Sequence, residues 1–180
     1  MRKFGNLLLF FIVIMLTGVL MNSCGKSEDP IKGEAYLECK LNGKLHKFNS
    51  VTNANDPPAE ETVHFVVVAG FENDDVVKAP SFGITLVSEE NITEGIYHVE
   101  GGSSPELDAD YCLQIYEGEN FVETKCYSGG RLSDTHFSLN ITSLDDWGVK
   151  GTFSGRLRDV DDKIIEVTEG KFSAPYNINL

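Results

Sequence analysis

The chain has 180 residues, with 28 acidic side chains against 15 Lys and Arg and a formal charge of −13. That balance excludes nucleic acid as a partner, because phosphate backbones are gripped by Lys and Arg that displace counterions. It equally excludes docking on an anionic lipid surface through a basic patch.

Met1-Arg2-Lys3 puts positive charge ahead of an apolar run from Leu7 to Met21, the order of a secretory signal. As a helix the run would span about 22 Å, short of the roughly 30 Å of a bilayer core. It ends in Met21-Asn22-Ser23-Cys24. This resembles the lipobox of bacterial lipoproteins, with Met21 where Leu is usual. The resemblance implies loss of residues 1–23, a diacylglycerol thioether on Cys24, and anchorage to a membrane by acyl chains. Stable anchoring takes more than one such chain. Residues 24–33 are polar and without apolar period, a flexible tether. Within it Lys26-Ser27-Glu28-Asp29 is similar to the short acidic signals that send Bacteroidetes lipoproteins to the outer face of the outer membrane.

Residues 34–180 are predicted to form one all-β domain: a single antiparallel sandwich, Ig-like or barrel-like, of about ten short strands. Ala35–Leu41 and Lys44–Phe48 flank Asn42-Gly43, a pair that tolerates the positive φ of a tight hairpin. Val63–Phe71 is a β-branched run fit for a central strand. Ser81–Val87 and Ile96–Val99 follow. Tyr111–Tyr116 and Phe121–Tyr127 flank a turn at Gly118-Glu119-Asn120. His136–Ser143 and Val149–Arg158 alternate strictly, and a three-residue Asp146-Trp147-Gly148 loop would set Ile141 opposite Phe153 and Phe137 opposite Leu157. Ile164–Val167 and Lys171–Ala174 close the domain around a turn at Glu169-Gly170.

Cys112 and Cys126 are equidistant from Glu119, so the turn sets them opposite each other, within disulfide reach in an oxidising compartment. The alternatives are two buried thiols, or a register shifted by a two-residue Gly118-Glu119 turn. Cys39 would remain a buried thiol, without an adjacent base to make it a nucleophile.

Cys39–Lys44, Ile92–Tyr97, Val149–Gly155 and Glu169–Ser173 follow one another in an order that resembles small Bacteroidetes cell-envelope lipoproteins built on a β-sandwich domain of unknown function. The resemblance covers most of the mature chain and implies a fold and a location. It brings no catalytic residues.

Nothing in the sequence carries the spacing of a nucleophile elbow, a phosphate loop, a metalloprotease helix or a paired-cysteine metal site. His46, His64, His98 and His136 fall on separate strands and are read as scattered, with no metal or cofactor. The acidic runs at Asn73–Asp75, Asp108–Asp110, Asp145-Asp146 and Asp159–Asp162 are read as solvated turn formers. Trp147, the single tryptophan, is a candidate ligand contact in a turn, against a ring folded back over the core. The expectation is a non-catalytic binding or accessory module for a glycan, a peptide or an envelope protein. A structural subunit of an envelope assembly is the alternative, ahead of a hydrolase whose site assembles only in three dimensions. An assembly role would show as an exposed apolar patch or an open strand edge.

Overall fold

A computed structural model describes residues 34–55, 62–100 and 105–177. Cys24, the leader and the tether lie outside the described residues.

The protein is all-β. Among the described residues eleven strands form one sheet that folds over itself into a sandwich. They are β1 (Tyr36–Leu41), β2 (Lys44–Lys47), β3 (Ser50–Ala54), β4 (Phe65–Phe71), β5 (Ser81–Val87), β6 (Gly95–Glu100), β7 (Glu106–Glu117), β8 (Asn120–Gly130), β9 (His136–Asp145), β10 (Gly148–Arg158) and β11 (Ile164–Pro175). One half runs β6-β9-β10-β11-β1-β2 and the other β8-β7-β5-β4-β3, with every strand pair antiparallel. Two corners join the halves. At one, Leu157 and Arg158 of β10 pair with Gly129 and Ser128 of β8. At the other, the chain leaves β1's partner β2 and becomes β4's partner β3 across Phe48-Asn49.

Alternation builds the core. Leu37 and Leu41, Val66 and Val68, Ile84 and Leu86, Phe137, Leu139 and Ile141, and Val167 and Phe172 all point inward and are buried. An aromatic chain crosses between the halves: Phe172 to Phe153 at 6.3 Å, Phe153 to Phe82 at 5.3 Å, Phe82 to Phe48 at 5.4 Å and Phe48 to Tyr111 at 5.9 Å.

Two hairpins depart from the predicted registers for a common reason. The β9–β10 turn has two residues, Asp146-Trp147, and Gly148 is a strand residue paired with Asp145. A Cβ on Gly148 would lie 2.1 Å from the Ala174 carbonyl oxygen, so this glycine serves close strand approach, not a left-handed turn. A bulge beside Ile141 then slips the ladder, and Ile141 faces Gly151 while Phe137 faces Gly155. The net displacement is two positions, which keeps every apolar side chain on its expected face. The β7–β8 turn likewise holds two residues, Gly118-Glu119, and a bulge beside Phe121 restores the register that opposes Cys112 to Cys126.

Three further differences concern extent. Ser50–Ala54, polar in sequence, forms β3. Glu169, at φ 51°, is a bulge inside one continuous β11, so the chain does not turn there. Asp108 and Asp110 lie within β7, whose ladder with β5 runs from Glu106 to Cys112; they are strand residues, not turn formers.

Candidate functional site

The sandwich has two outward faces, and they differ in kind. On the half containing β9, β10, β11 and β1, outward residues are hydroxyls and paired charges. Ser138, Asn140, Thr152, Ser154 and Lys171 line a groove of ≈ 370 Å³. Beside it Lys171 meets Glu38 at 2.7 Å, Lys40 meets Glu169 at 2.6 Å and Arg156 meets Glu166 at 2.9 Å. The Glu38 carboxylate holds the Lys171 ammonium above the usual lysine range, chiefly through their hydrogen bond. This is an ordinary solvated sheet face.

The opposite half is different. Outward positions on β4 are Phe65, Val67, Ala69 and Phe71, apolar throughout. Phe65 is 48% exposed and its ladder partner Val87 38%. Antiparallel sheets with one solvated face normally alternate apolar and polar residues, and a strand apolar on both sides belongs under a second layer. No second layer covers β4 among the described residues.

This face runs on into an arm. The β5–β7 ladder ends at Cys112, and β8 pairs with β10 only at Ser128 and Gly129. Between those limits β7 and β8 pair only with each other among the described residues, a two-stranded ribbon that overhangs the sandwich. Cys112 and Cys126 are joined by a disulfide at its root, with Cα atoms 4.1 Å apart. Further out the Thr124 hydroxyl donates to Gln114 Oε1 at 2.7 Å, Tyr116 packs edge-on to Phe121 at 5.8 Å, and the Lys78 ammonium sits 5.4 Å from the Tyr116 ring centroid. Phe121 and Val122 at the tip are 55% and 48% exposed.

Trp147 neither stands clear nor enters the core. It is half-buried, its amide donates to Asp145 Oδ1 at 2.9 Å, and its carbonyl accepts from Tyr176 at 3.0 Å. The Lys150 ammonium lies 5.4 Å from its ring centroid and occupies surface a sugar ring would need for stacking.

Sequence reasoning treated the histidines as scattered, and it missed one cluster. The Asn42-Gly43 turn pairs Cys39 with His46, and Glu72, at the end of β4, holds His46 Nδ1 at 2.5 Å. The pairing was implicit in the two-residue turn; the arrival of Glu72 was not. His46 also stacks on Phe48 at 6.2 Å and meets Tyr111 edge-on at 6.0 Å. A cysteine, a histidine and a carboxylate form a nucleophile only if the thiol ionises and is accessible. Here Cys39 is fully buried, and burial, with the Glu72 charge adding to it, pushes its thiol up to about 12. Tyr111 is pushed up to about 12 by burial first and by Glu72 second. The cluster packs a corner of the core. In the native protein Cys39 is therefore expected to resist iodoacetamide near pH 8 and to react once urea unfolds the chain. Stoichiometric labelling of the folded protein, read by mass spectrometry, would contradict the structural role.

Among the described residues no three His, Cys, Asp or Glu side chains converge on a metal-sized site. The groove on β9–β11 and another of ≈ 530 Å³ bordered by Glu89, Glu90, Tyr97 and Glu106 contain neither histidine nor cysteine. No family model, curated protein or solved structure matches this chain.

Proposed function

We propose that the chain is a lipoprotein of the bacterial cell envelope, anchored through Cys24 and most at home on the outer membrane, that serves as a non-catalytic binding module for another envelope protein. The leader, the Ser23-Cys24 junction and the resemblance to small Bacteroidetes envelope lipoproteins support the anchorage. The outward apolar face of β4 carries the choice of a protein ligand over a glycan. Glycan sites rest on aromatic platforms and free polar groups. Here Trp147 is half-buried beneath Lys150, and the charges flanking the polar groove are already paired.

A permanent subunit role in an envelope assembly is the second reading. It is favoured by β6, which pairs with β9 along one edge and with no strand along the other among the described residues. Ile96 on that strand is 70% exposed.

Radiolabelled palmitate is expected to enter the wild-type protein and not the Cys24→Ala variant, which should move from the membrane pellet to the soluble fraction. A variant that fractionates like wild type would remove the anchorage. Glycan-array binding that survives substitution of Phe65 and Val67 by Ser would remove the protein-ligand reading.

A further inference from the structure

The apolar face has an internal order that describes its partner. Three strands present three lanes in register. The β4 lane is apolar: Phe65, Val67, Ala69 and Phe71. The β5 lane beside it is Ser81, Gly83, Thr85 and Val87, with Gly83 opposite Ala69 and Thr85 opposite Val67. The β7 lane is acidic: Glu106 pairs with Val87, Asp108 with Thr85 and Asp110 with Gly83. The middle of the face is thus a channel, floored by small side chains, with one apolar bank and one carboxylate bank.

Gly83 marks the channel as open space. Each of the other described glycines is required by the fold: it has positive φ, or a Cβ added to it would come within 3.0 Å of a neighbour. Gly83 is not in the left-handed region, and a Cβ there would meet only the Val68 carbonyl oxygen, at 3.8 Å. A glycine inside a strand weakens it, and where the backbone does not need it, it commonly marks the approach of another molecule.

The carboxylate bank sets the sign of the partner. Arg131 approaches Glu106 at 3.0 Å and Asp108 at 3.9 Å, and the Asp108 carboxylate, 13% exposed, also accepts from the Leu132 amide at 2.8 Å. Asp110, exposed, holds the Ser128 hydroxyl at 2.5 Å and no cation among the described residues, and is the carboxylate most open to a partner. A second copy of this chain, at −13, would bring more negative charge to that bank. The ladders decide the partner's backbone. β5, which floors the channel, is paired along its whole length with β4 on one edge and β7 on the other, so an extended peptide lying over it would find no main-chain partners. A helix satisfies its own backbone. Its diameter of about 10 Å matches the two strand spacings, about 10 Å together, that separate the banks.

We propose that the channel over β5 seats an amphipathic basic helix of the partner protein, its apolar stripe against β4 and its Lys and Arg toward Asp108 and Asp110. This rests on the reading of the face as a protein-binding surface. The probe is a fluorescein-labelled peptide of about 18 residues, with leucines along one side and lysines along the other. A twin carries glutamates in place of the lysines. By fluorescence anisotropy the lysine peptide is expected to bind at least about tenfold more tightly than its twin, a preference that collapses in high salt. Gly83→Val fills the channel and is expected to weaken binding about tenfold while raising the thermal midpoint by about 2 °C; the gain in stability separates blocking from misfolding. Asp108→Asn with Asp110→Asn keeps an acceptor oxygen at each position and should remove the preference for lysine.

Equal binding of the twins, or lysine binding indifferent to Gly83→Val, overturns the proposal. A photoreactive residue at Thr85 in living cells tests the underlying reading separately. An adduct with a different protein leaves that reading standing even when the peptides fail. An adduct of twice the chain's own mass makes the occupant a second copy and overturns the basic-helix proposal. Absence of any protein adduct removes the protein-binding reading together with the helix.

Discussion

Truncating Phe153 to Ala is expected to destabilise the protein by about 3–5 kcal/mol, seen as a fall of roughly 2 M in the urea midpoint. Phe153 is 4% exposed and is the ring at which the two halves of the sandwich meet: Phe82 lies 5.3 Å away on one side, Phe137 at 6.2 Å and Phe172 at 6.3 Å on the other. The site has little means of collapsing after truncation. Its ladder neighbour on β11 is Gly170, where a Cβ would lie 2.6 Å from the Phe153 ring, so no side chain on that strand stands ready to fill the space, and Leu139, its neighbour on β9, is itself fixed by burial. The other ring neighbours, Phe82, Phe137 and Phe172, are themselves fixed by burial. Val160→Ala, at a residue 98% exposed, is the matched control and should shift stability by less than about 0.5 kcal/mol. A Phe153→Ala variant that loses less than about 1 kcal/mol would mean that the halves do not depend on this ring.

The sandwich was legible because alternation survives local error. In His136–Ser143 and Val149–Arg158 the apolar positions recur every second residue, and a wrong loop length followed by a missed bulge displaced the ladder by an even number. The faces came out right and the partners wrong. Bulges leave little trace in sequence, since they are set by what opposes each residue: Gly151 faces Ile141 because a Cβ there would lie 2.3 Å from the Asn140 carbonyl oxygen and 2.8 Å from the Phe172 ring. The β2–β3 corner was unreadable for another reason. Gly70 admits the Phe48 carbonyl where a Cβ would lie 2.1 Å from it, a contact between distant parts of the chain, and the Thr52 hydroxyl, four residues on, donates to that same carbonyl at 2.6 Å.

The apolar outer face was half legible. Val63–Phe71 reads as a strand apolar on both sides, and that run led to the expectation of a central strand. It is central within its half, between β3 and β5, yet among the described residues no second layer covers its outer side, where Phe65 is exposed and Val67, Ala69 and Phe71 are half-buried. The acidic bank was hidden because Asp108 and Asp110 carry poor strand propensity and read as a turn. Leu107, Ala109 and Tyr111, buried on the alternate positions, override that preference and hold β7 straight. Gly83 reads as any strand glycine until the neighbouring atoms are known.

Removing the disulfide, by Cys112→Ser with Cys126→Ser, is expected to cost up to about 3 kcal/mol of global stability, the loop-closure entropy of a cross-link about 15 residues long; the sequence separation here is 14. The loss should fall short of that ceiling because the bond sits where the native state itself can loosen. From Leu113 outward the ribbon has no neighbour on β7's other edge among the described residues, and two-stranded ribbons are marginal alone. The remaining restraints are the Gln114–Thr124 hydrogen bond, the Tyr116–Phe121 contact, Lys78 over Tyr116, and the 2.9 Å ion pair of Lys125 with Asp159. Without the disulfide the arm should fray, giving the folded variant entropy that the bonded form lacks and so offsetting part of the loss. Fraying has its own readout. A glutamate-specific protease should cut the variant at Glu117, Glu119 or Glu123 under conditions where the wild type stays whole. A full loss of about 3 kcal/mol with the arm still protected would place the bond's action in the unfolded chain alone. An arm cut equally fast in both proteins would deny that the disulfide holds it in shape.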